Sequence, residues 1–300
     1  ILLSVIIAFT VASVIQFITR IIFSFDYKRT IRYFGAIFGG LALTIIVYFI
    51  LIEGAKGISF ITEEQLLWIN RNNSLIMGYT FLCGTILLQI LILLFNFNVF
   101  RFIVLLGTGT LALAFAGNDL VNFIGVPLAG YESYKLYAAN GGGDPTTFLM
   151  GGLHAKIQSP TIFLVIAGII MIIILYLSRK ARSVVKTSVN LSHQEDTVEI
   201  FESSVLARSL VRIAINIGAF FKKVLPHKVT VFIKKRLSPE AFRKATADNP
   251  VSFDLIRASV NLVVSSILIA FGTSQKLPLS TTYVTFMVAM GTSLADGAWN

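Results

Sequence analysis

The chain has 300 residues, of which 55% are hydrophobic and 13% are charged, and its mean hydropathy is +0.80. A soluble domain of this length cannot hide that much apolar surface, so the composition argues against a water-soluble fold and predicts an integral membrane protein. The formal net charge is +10. Positive charge is typical of the cytoplasmic connections of membrane proteins, so it does not indicate a nucleic-acid partner.

Six apolar segments are candidate membrane-spanning helices, because a helix needs about 20 residues to cross the hydrocarbon core. In chain order they are 1–19, 35–51, 75–95, 102–116 with its continuation, 161–177 and 251–272. A seventh segment, 283–294, is shorter and fits half of a re-entrant hairpin or a span cut off by the end of the chain. We therefore expect an all-α polytopic membrane protein.

The distribution of charge predicts a side for each connection. The connection 20–32 is basic and 53–74 is slightly acidic, so the positive-inside rule places the first in the cytoplasm and the second outside. Alternation then puts Arg101 inside, 131–160 outside and 179–250 inside. That last stretch holds fourteen Lys or Arg and six Asp or Glu, an excess of +8. We expect a multi-pass protein of the cell (inner) membrane.

The basic stretch 179–250 separates two membrane regions, 1–178 and 251–300. Within it, apolar residues recur at helical spacing between Val205 and Val224, with basic residues among them. This pattern fits an amphipathic helix on the inner membrane surface, and equally a helix packed in a small cytoplasmic domain.

The chain begins inside an apolar segment without a methionine and stops at Asn300. We expect it to be an internal fragment whose partner is the rest of the protein upstream of Ile1. The segment 1–19 does not fit a signal peptide, because basic residues rather than a small-residue cleavage site follow it. The lone cysteine, Cys83, rules out a disulfide framework within the chain.

One span is interrupted by polar residues in the sequence AGNDLVNFIGVPLAG at 116–130. An ionisable side chain at membrane depth costs about 2.5–3.5 kcal/mol on insertion scales, so Asp119 should be paired, face a wet cavity or bind an ion. The neighbouring glycines and proline predict a broken helix. Asn118, Asp119 and Asn122 offer the hard oxygen ligands that sodium needs. The alternative is an aspartate that caps a half-helix beside asparagines that join helices.

A second polar element, KLPLSTT at 276–282, lies between two apolar stretches. A helix N-terminus presents unpaired N–H groups and partial positive charge, and the hydroxyls of Ser280, Thr281 and Thr282 add donors. The element therefore suits a tetrahedral oxyanion. Taken alone, Ser-Thr-Thr is also an ordinary helix N-cap.

The two elements together resemble a known family. GNDLVN resembles the G-A-N-D-x-x-N signature of the inorganic phosphate transporter (PiT) family, and LPLSTTY resembles its P-x-S-T-T-H element. The flanking residues look like the variant found in long bacterial members, and the similarity covers nearly the whole chain. The resemblance implies an inverted-repeat transporter with broken helices and a re-entrant hairpin, which couples secondary active transport of phosphate to sodium or protons.

The resemblance also implies roles for the matching residues. Those expected to contact phosphate are Asn118, Asp119, Ser280, Thr281 and Thr282, and those expected to hold the cation are Asp119, Asn122 and Asn118. It implies no cofactor and no metal beyond sodium; the implied partners are inorganic phosphate, membrane lipid and a second copy of the chain in a homodimer. Because the two motifs would share one ligand, we expect Asp119 and Thr281 to lie close together near the bilayer midplane.

The chain departs from the family pattern at a few positions. Gly117 stands where the family has alanine, and Tyr283 stands where histidine usually follows Ser-Thr-Thr, so a proton role for that histidine is not carried over. Each element occurs once. On the two-repeat plan, the other pair lies upstream of Ile1.

The remaining polar residues give weaker patterns. Asn261 and Ser265 lie one turn apart in a span and predict hydrogen bonds between helices, with a place along a transport pathway as the alternative. No Ser/His/Asp or paired-carboxylate arrangement indicates an enzyme. Two other functions remain open, namely a sulfate or other oxyanion permease and a non-transporting membrane scaffold or sensor that acts through 179–250.

Overall fold

The computed structural model describes residues 2–24, 30–49, 62–139, 160–180, 254–275 and 279–296, together with 144, 182–183, 226, 231–232 and 277. Within this part of the chain, all regular structure is helical. Four helical runs are long and apolar enough to cross a membrane: Leu3–Phe23, Asn73–Phe95, Val99–Ala139 and Leu255–Ser274. The expected all-helical architecture with helices of membrane-spanning length is confirmed.

The described residues form helices α1 (Leu2–Phe23), α2 (Ala36–Val47), α3 (Glu63–Arg71), α4 (Asn73–Phe95), α5 (Val99–Phe115), α6 (Val121–Ala139), α7 (Thr161–Leu177), α8 (Leu255–Ser274) and α9 (Thr281–Ala295). The π-helical segment Ile31–Gly35 leads into α2, and the π-helical segment Ala116–Leu120 joins α5 to α6. Most predicted spans are thus helices with ends shifted by a few residues. The short helix α3, which begins at a Thr62–Gln65 capping box, was not predicted.

Contacts distant in sequence determine the directions of α1, α8 and α9. Ser13 of α1 donates to the Gly291 carbonyl of α9 at 3.0 Å, and Gln16, one turn further on, reaches Asp296 after the last turn of α9, so these helices run parallel. Arg257, near the start of α8, also donates to Asp296, so α8 is antiparallel to both. The end of α1, the start of α8 and the end of α9 therefore meet at what we call the Asp296 end of the bundle.

The start of α5 lies at this same end. The Ser259 hydroxyl of α8 donates to the Phe100 carbonyl at 3.2 Å. Phe23, at the end of α1, packs edge-on against Phe100 with ring centroids 5.0 Å apart. The end of α1 and the start of α5 therefore lie at one end of the bundle, as the predicted alternation of the basic segments requires.

Small residues bring two pairs of helices into backbone contact. A Cβ atom on Gly291 of α9 would lie 2.4 Å from the Phe9 carbonyl oxygen of α1, and one on Gly40 of α2 would lie 2.1 Å from the Thr85 hydroxyl of α4. Such close approach replaces the hydrophobic driving force that is missing between helices in lipid. An apolar core between α1, α8 and α9 also holds these helices together. Its buried residues are Ala8, Ala12, Val260, Val264, Ile269, Val284 and Val288.

The segment 116–130 differs from the predicted broken helix. The chain stays helical through Pro127, which lies inside α6, and the irregularity is the π-helical turn Ala116–Leu120. A π turn inserts a residue into the helix and re-aims side chains without opening the whole hydrogen-bond ladder, and local adjustments of this kind let membrane helices tolerate proline.

Several predictions fall on residues outside this description. The basic stretch 179–250 is described only at isolated positions, and the amphipathic segment from Val205 to Val224 lies outside the described residues. Lys276, in the second polar element, is also outside them.

Candidate functional site

Asp119 lies in the π turn between α5 and α6. The turn widens the helix at Ala116–Leu120, and π turns of this kind occur frequently at functional sites. The Asp119 side chain is half-buried, and the Asn118 side-chain amide donates to its Oδ1 atom at 2.9 Å. The polar interruption of the span is therefore organised as a carboxylate held by its own neighbour.

The first turn of α9 supplies the other half of the site. Ser280 is the N-cap, and its side chain accepts a long hydrogen bond of 3.5 Å from the Tyr283 backbone N–H. Thr281 follows as the first helical residue and is buried, with 4% of its surface exposed. The partial positive charge of a helix N-terminus is concentrated in this first turn.

The two elements meet through Thr281 and Asp119, which are 162 positions apart in sequence. The Thr281 hydroxyl lies 3.0 Å from Asp119 Oδ2 and 3.1 Å from Oδ1, and it donates to the carboxylate. The expected proximity of the two motifs is confirmed by this contact. A carboxylate facing the N-terminus of α9 is also electrostatically favourable by itself, because anions are stabilised there.

The other residues predicted for the site are placed differently. Asn122 is exposed on α6, Thr282 is exposed on α9, and no hydrogen bond between described residues links either side chain to Asp119. Ser280 serves as the N-cap, the role considered for the Ser-Thr-Thr element taken alone. The structure thus brings Asn118, Asp119 and Thr281 together.

This arrangement offers chemistry for both signs of charge. Carboxylate, amide and hydroxyl oxygens are the ligands that hard cations prefer. The amide N–H groups in the first turn of α9 are donors of the kind that bind phosphate and related anions at helix N-termini. A cation and an oxyanion can therefore be held within a few ångströms of one hydroxyl.

A second polar cluster, which the sequence interpretation did not identify, lies at the Asp296 end of the bundle. The Asp296 side chain, 0% exposed, accepts from Arg20 Nε and from Arg257 Nε at 2.8 Å each. It also accepts from the Gln16 amide at 2.9 Å. Two charged residues within apolar stretches of the sequence could have indicated this cluster, namely Asp296 in TSLADGAW and Arg257 in DLIRAS.

Asn261 makes the predicted contact between helices, because its Oδ1 atom accepts from the Thr292 hydroxyl of α9 at 2.6 Å.

No protein-family model, curated protein or solved structure matches this chain. The resemblance to the phosphate transporter family therefore depends on the two sequence motifs.

Proposed function

We propose that this protein is a secondary active transporter that moves inorganic phosphate across the cell membrane together with sodium or protons. The observation that carries the proposal is the contact between Thr281, at the N-terminus of α9, and Asp119, in the π turn of another span. The contact supports the proposal because it joins a helix N-terminus, where anions are favoured, to a carboxylate in another apolar helix.

The carboxylate supplies the reason for coupling. Two like unit charges about 4 Å apart repel by about 4 kcal/mol at an effective dielectric constant near 20. Phosphate at the start of α9 would sit about this close to Asp119, because Thr281 touches the carboxylate directly. The anion therefore binds well only when a cation or a proton neutralises Asp119, which makes the two ligands interdependent.

The anion is recognised by donors. The first turn of α9 carries backbone N–H donors beside the Thr281 hydroxyl, and Ser280 caps this turn by accepting from the Tyr283 N–H. When a cation takes the carboxylate, the Thr281 hydroxyl is released to donate to a phosphate oxygen. In this proposal Asn118 helps to hold the cation, and Asn122 and Thr282 complete the site only after a local rearrangement.

The inverted repeat and the re-entrant hairpin belong to this proposal. At 1.5 Å of rise per residue, Thr281 lies about 22 Å along α9 from Asp296. The hydrocarbon core is about 30 Å thick. If the Asp296 end lay at one boundary of the core, the contact would lie in the far half of the core. The re-entrant hairpin proposed here instead brings the contact nearer the midplane, with the start of α8 extending beyond the near boundary.

The test is uptake of radiolabelled phosphate by the full-length protein in proteoliposomes, with sodium varied at fixed pH and then the reverse. Thr281→Val keeps the size of the side chain and removes the hydroxyl, so coupled uptake should fall at least about tenfold, as expected for a lost donor at a polar site. Thr281→Ser should retain most of the uptake. Thr108→Val is the matched control, because Thr108 is exposed on α5 and donates to its own helix at Val104.

Uptake of phosphate that needs neither ion gradient, or full uptake by Thr281→Val, would contradict the proposal. Uptake of sulfate in preference to phosphate would retain the transporter and change its substrate. Absence of any oxyanion uptake by the wild-type protein would favour the scaffold alternative.

A further inference from the structure

The buried charges at the Asp296 end form one connected network. Arg20 of α1 binds both Asp254 and Asp296, and Arg257 of α8 binds Asp296 as well. The two arginine side chains are each 1% exposed. Gln16 completes the network through its hydrogen bonds to Asp296. We call these five residues the charge latch.

The latch ties three helix ends together through their own electrostatics. Asp254 is the N-cap of α8 and accepts from the backbone N–H groups of Ile256 at 2.9 Å and Arg257 at 3.2 Å. Arg20 lies in the last turn of α1, where a cation is favoured by the helix dipole. The network sets two arginines against two aspartates, so its formal charges balance and it is suited to holding the helices together.

One short helix links the latch to the proposed site. Helix α9 has 15 residues, and Thr281 at its start touches Asp119 while Asp296 follows its last residue and lies in the latch. Because a helix of this length moves as a rigid element, a displacement that frees one of its ends also shifts the other.

Buried polar residues lie between the two ends of α9. The Asn261–Thr292 hydrogen bond lies about one turn from Asp296, and Ser265, 2% exposed, is one turn further along α8. Polar side chains buried between membrane helices are expensive and often lie along substrate or ion pathways. Val264 of α8 packs with Val284 and Val288 of α9 in the apolar core beside them. The seam between α8 and α9 is therefore closed in the structure.

We propose that the charge latch is a gate, which closes the seam between α8 and α9 at the Asp296 end and must open for ligands to pass between the proposed site and that side of the membrane. This inference rests on the proposed transport function. The basic connections beside the latch predict that it faces the cytoplasm.

The test measures how accessible the seam is. Ser265→Cys is introduced into the full-length protein with Cys83→Ser, because Cys83 is exposed. A membrane-impermeant cationic methanethiosulfonate is then added to inside-out vesicles. With the latch intact, labelling should be slow. Adding Asp296→Asn should raise the labelling rate at least about tenfold by shifting the population toward the open state.

Two controls separate a gate from general loosening. Thr44→Cys, at a buried position on α2 outside the latch, should remain protected in the Asp296→Asn background. Glu132→Gln, which breaks the Lys135–Glu132 ion pair on α6, should leave Ser265→Cys protected.

Arg257→Gln serves as the second latch variant, because it retains the Arg20–Asp296 pair.

Unchanged labelling of Ser265→Cys in both latch variants, or an equal rise at Thr44→Cys, would overturn the proposal. Failure of both variants to accumulate in the membrane would also count against it, because a gate must open without loss of the fold. The labelling needs no phosphate, so the two ideas can fail separately. Latch-dependent labelling without any oxyanion uptake removes the transport function alone, and coupled uptake with unchanged labelling removes the gate alone.

Discussion

Replacing Asp119 with asparagine removes the carboxylate charge at the contact with Thr281 while leaving the shape of the side chain almost unchanged. The wild-type protein should bind phosphate tightly only when a cation or proton neutralises this group. The asparagine variant should bind phosphate with little dependence on sodium, because the repulsion between carboxylate and anion has gone. Concentrative uptake should then be lost, since no ion gradient is linked to the movement of phosphate.

The size of the effect follows from the geometry. A repulsion of about 4 kcal/mol would change a binding constant nearly a thousandfold, at about 1.4 kcal/mol for each factor of ten. Asp119 is half-buried, so solvent screens part of this repulsion, and we expect sodium to change phosphate affinity by about tenfold to a hundredfold in the wild-type protein. In Asp119→Asn the change should be less than about threefold by the same reasoning.

Stability should change little in this variant. The hydrogen bonds from Asn118 and Thr281 become neutral and each weakens by about 1 kcal/mol. Removal of an ionised group from a membrane helix stabilises the folded protein by at most about 2.5–3.5 kcal/mol. The unfolding temperature in detergent should therefore be kept or slightly raised.

The assay is equilibrium binding of phosphate by the purified protein at several sodium concentrations, followed by uptake into proteoliposomes. Glu132→Gln is the control, because it removes another carboxylate from the α5–α6 run without touching Thr281. Sodium dependence that survives in Asp119→Asn would show that the coupling cation binds elsewhere, and the role assigned to Asp119 would be wrong.

Two further predictions concern stability, and both are measured as the free energy of unfolding in detergent. Gly291→Ala should destabilise the protein by about 1–3 kcal/mol, because the new Cβ meets the Phe9 carbonyl oxygen; Gly78→Ala, where nothing lies within 4 Å, should be neutral or stabilising, and equal effects would contradict the close packing of α1 and α9. Asp254→Ala removes an N-cap and a buried partner of Arg20 and should cost about 3–5 kcal/mol. Asn98→Ala removes only the N-cap of α5 and should cost about 1 kcal/mol, so similar losses would mean that the buried pair contributes nothing.

The helices of the bundle could be predicted from the sequence because their signal is local. A run of apolar residues such as 75–95 has one stable state in lipid, and the structure has Asn73–Phe95 as a helix. The proximity of Asp119 and Thr281 was also predictable, because the family resemblance implied that the two motifs share one ligand. The direct hydrogen bond between their side chains was not predicted.

The details of the site could not be predicted from the sequence. Successive helical residues point about 100° apart, so Thr281 and Thr282 cannot both face Asp119 once the helix begins at Thr281. The π turn has no sequence signal as distinct as a proline, and Pro127 suggested a break that α6 does not contain. The latch depends on residues such as Arg20 and Asp296, 276 positions apart, and pairing at that distance is decided by helix packing alone.

That separation has a consequence for how the protein is made. Arg20 is buried against an aspartate that the ribosome adds 276 residues later, which at about 5–20 residues per second is a delay of roughly 15 to 55 seconds. Until Asp254 is made, 234 residues after Arg20, α1 has neither aspartate, so Arg20 must stay near the lipid headgroups or in the insertion machinery. A nascent chain interrupted before α9 would leave Arg20 and Arg257 without Asp296. The pairing of Arg20 is therefore complete only after α9 has been made.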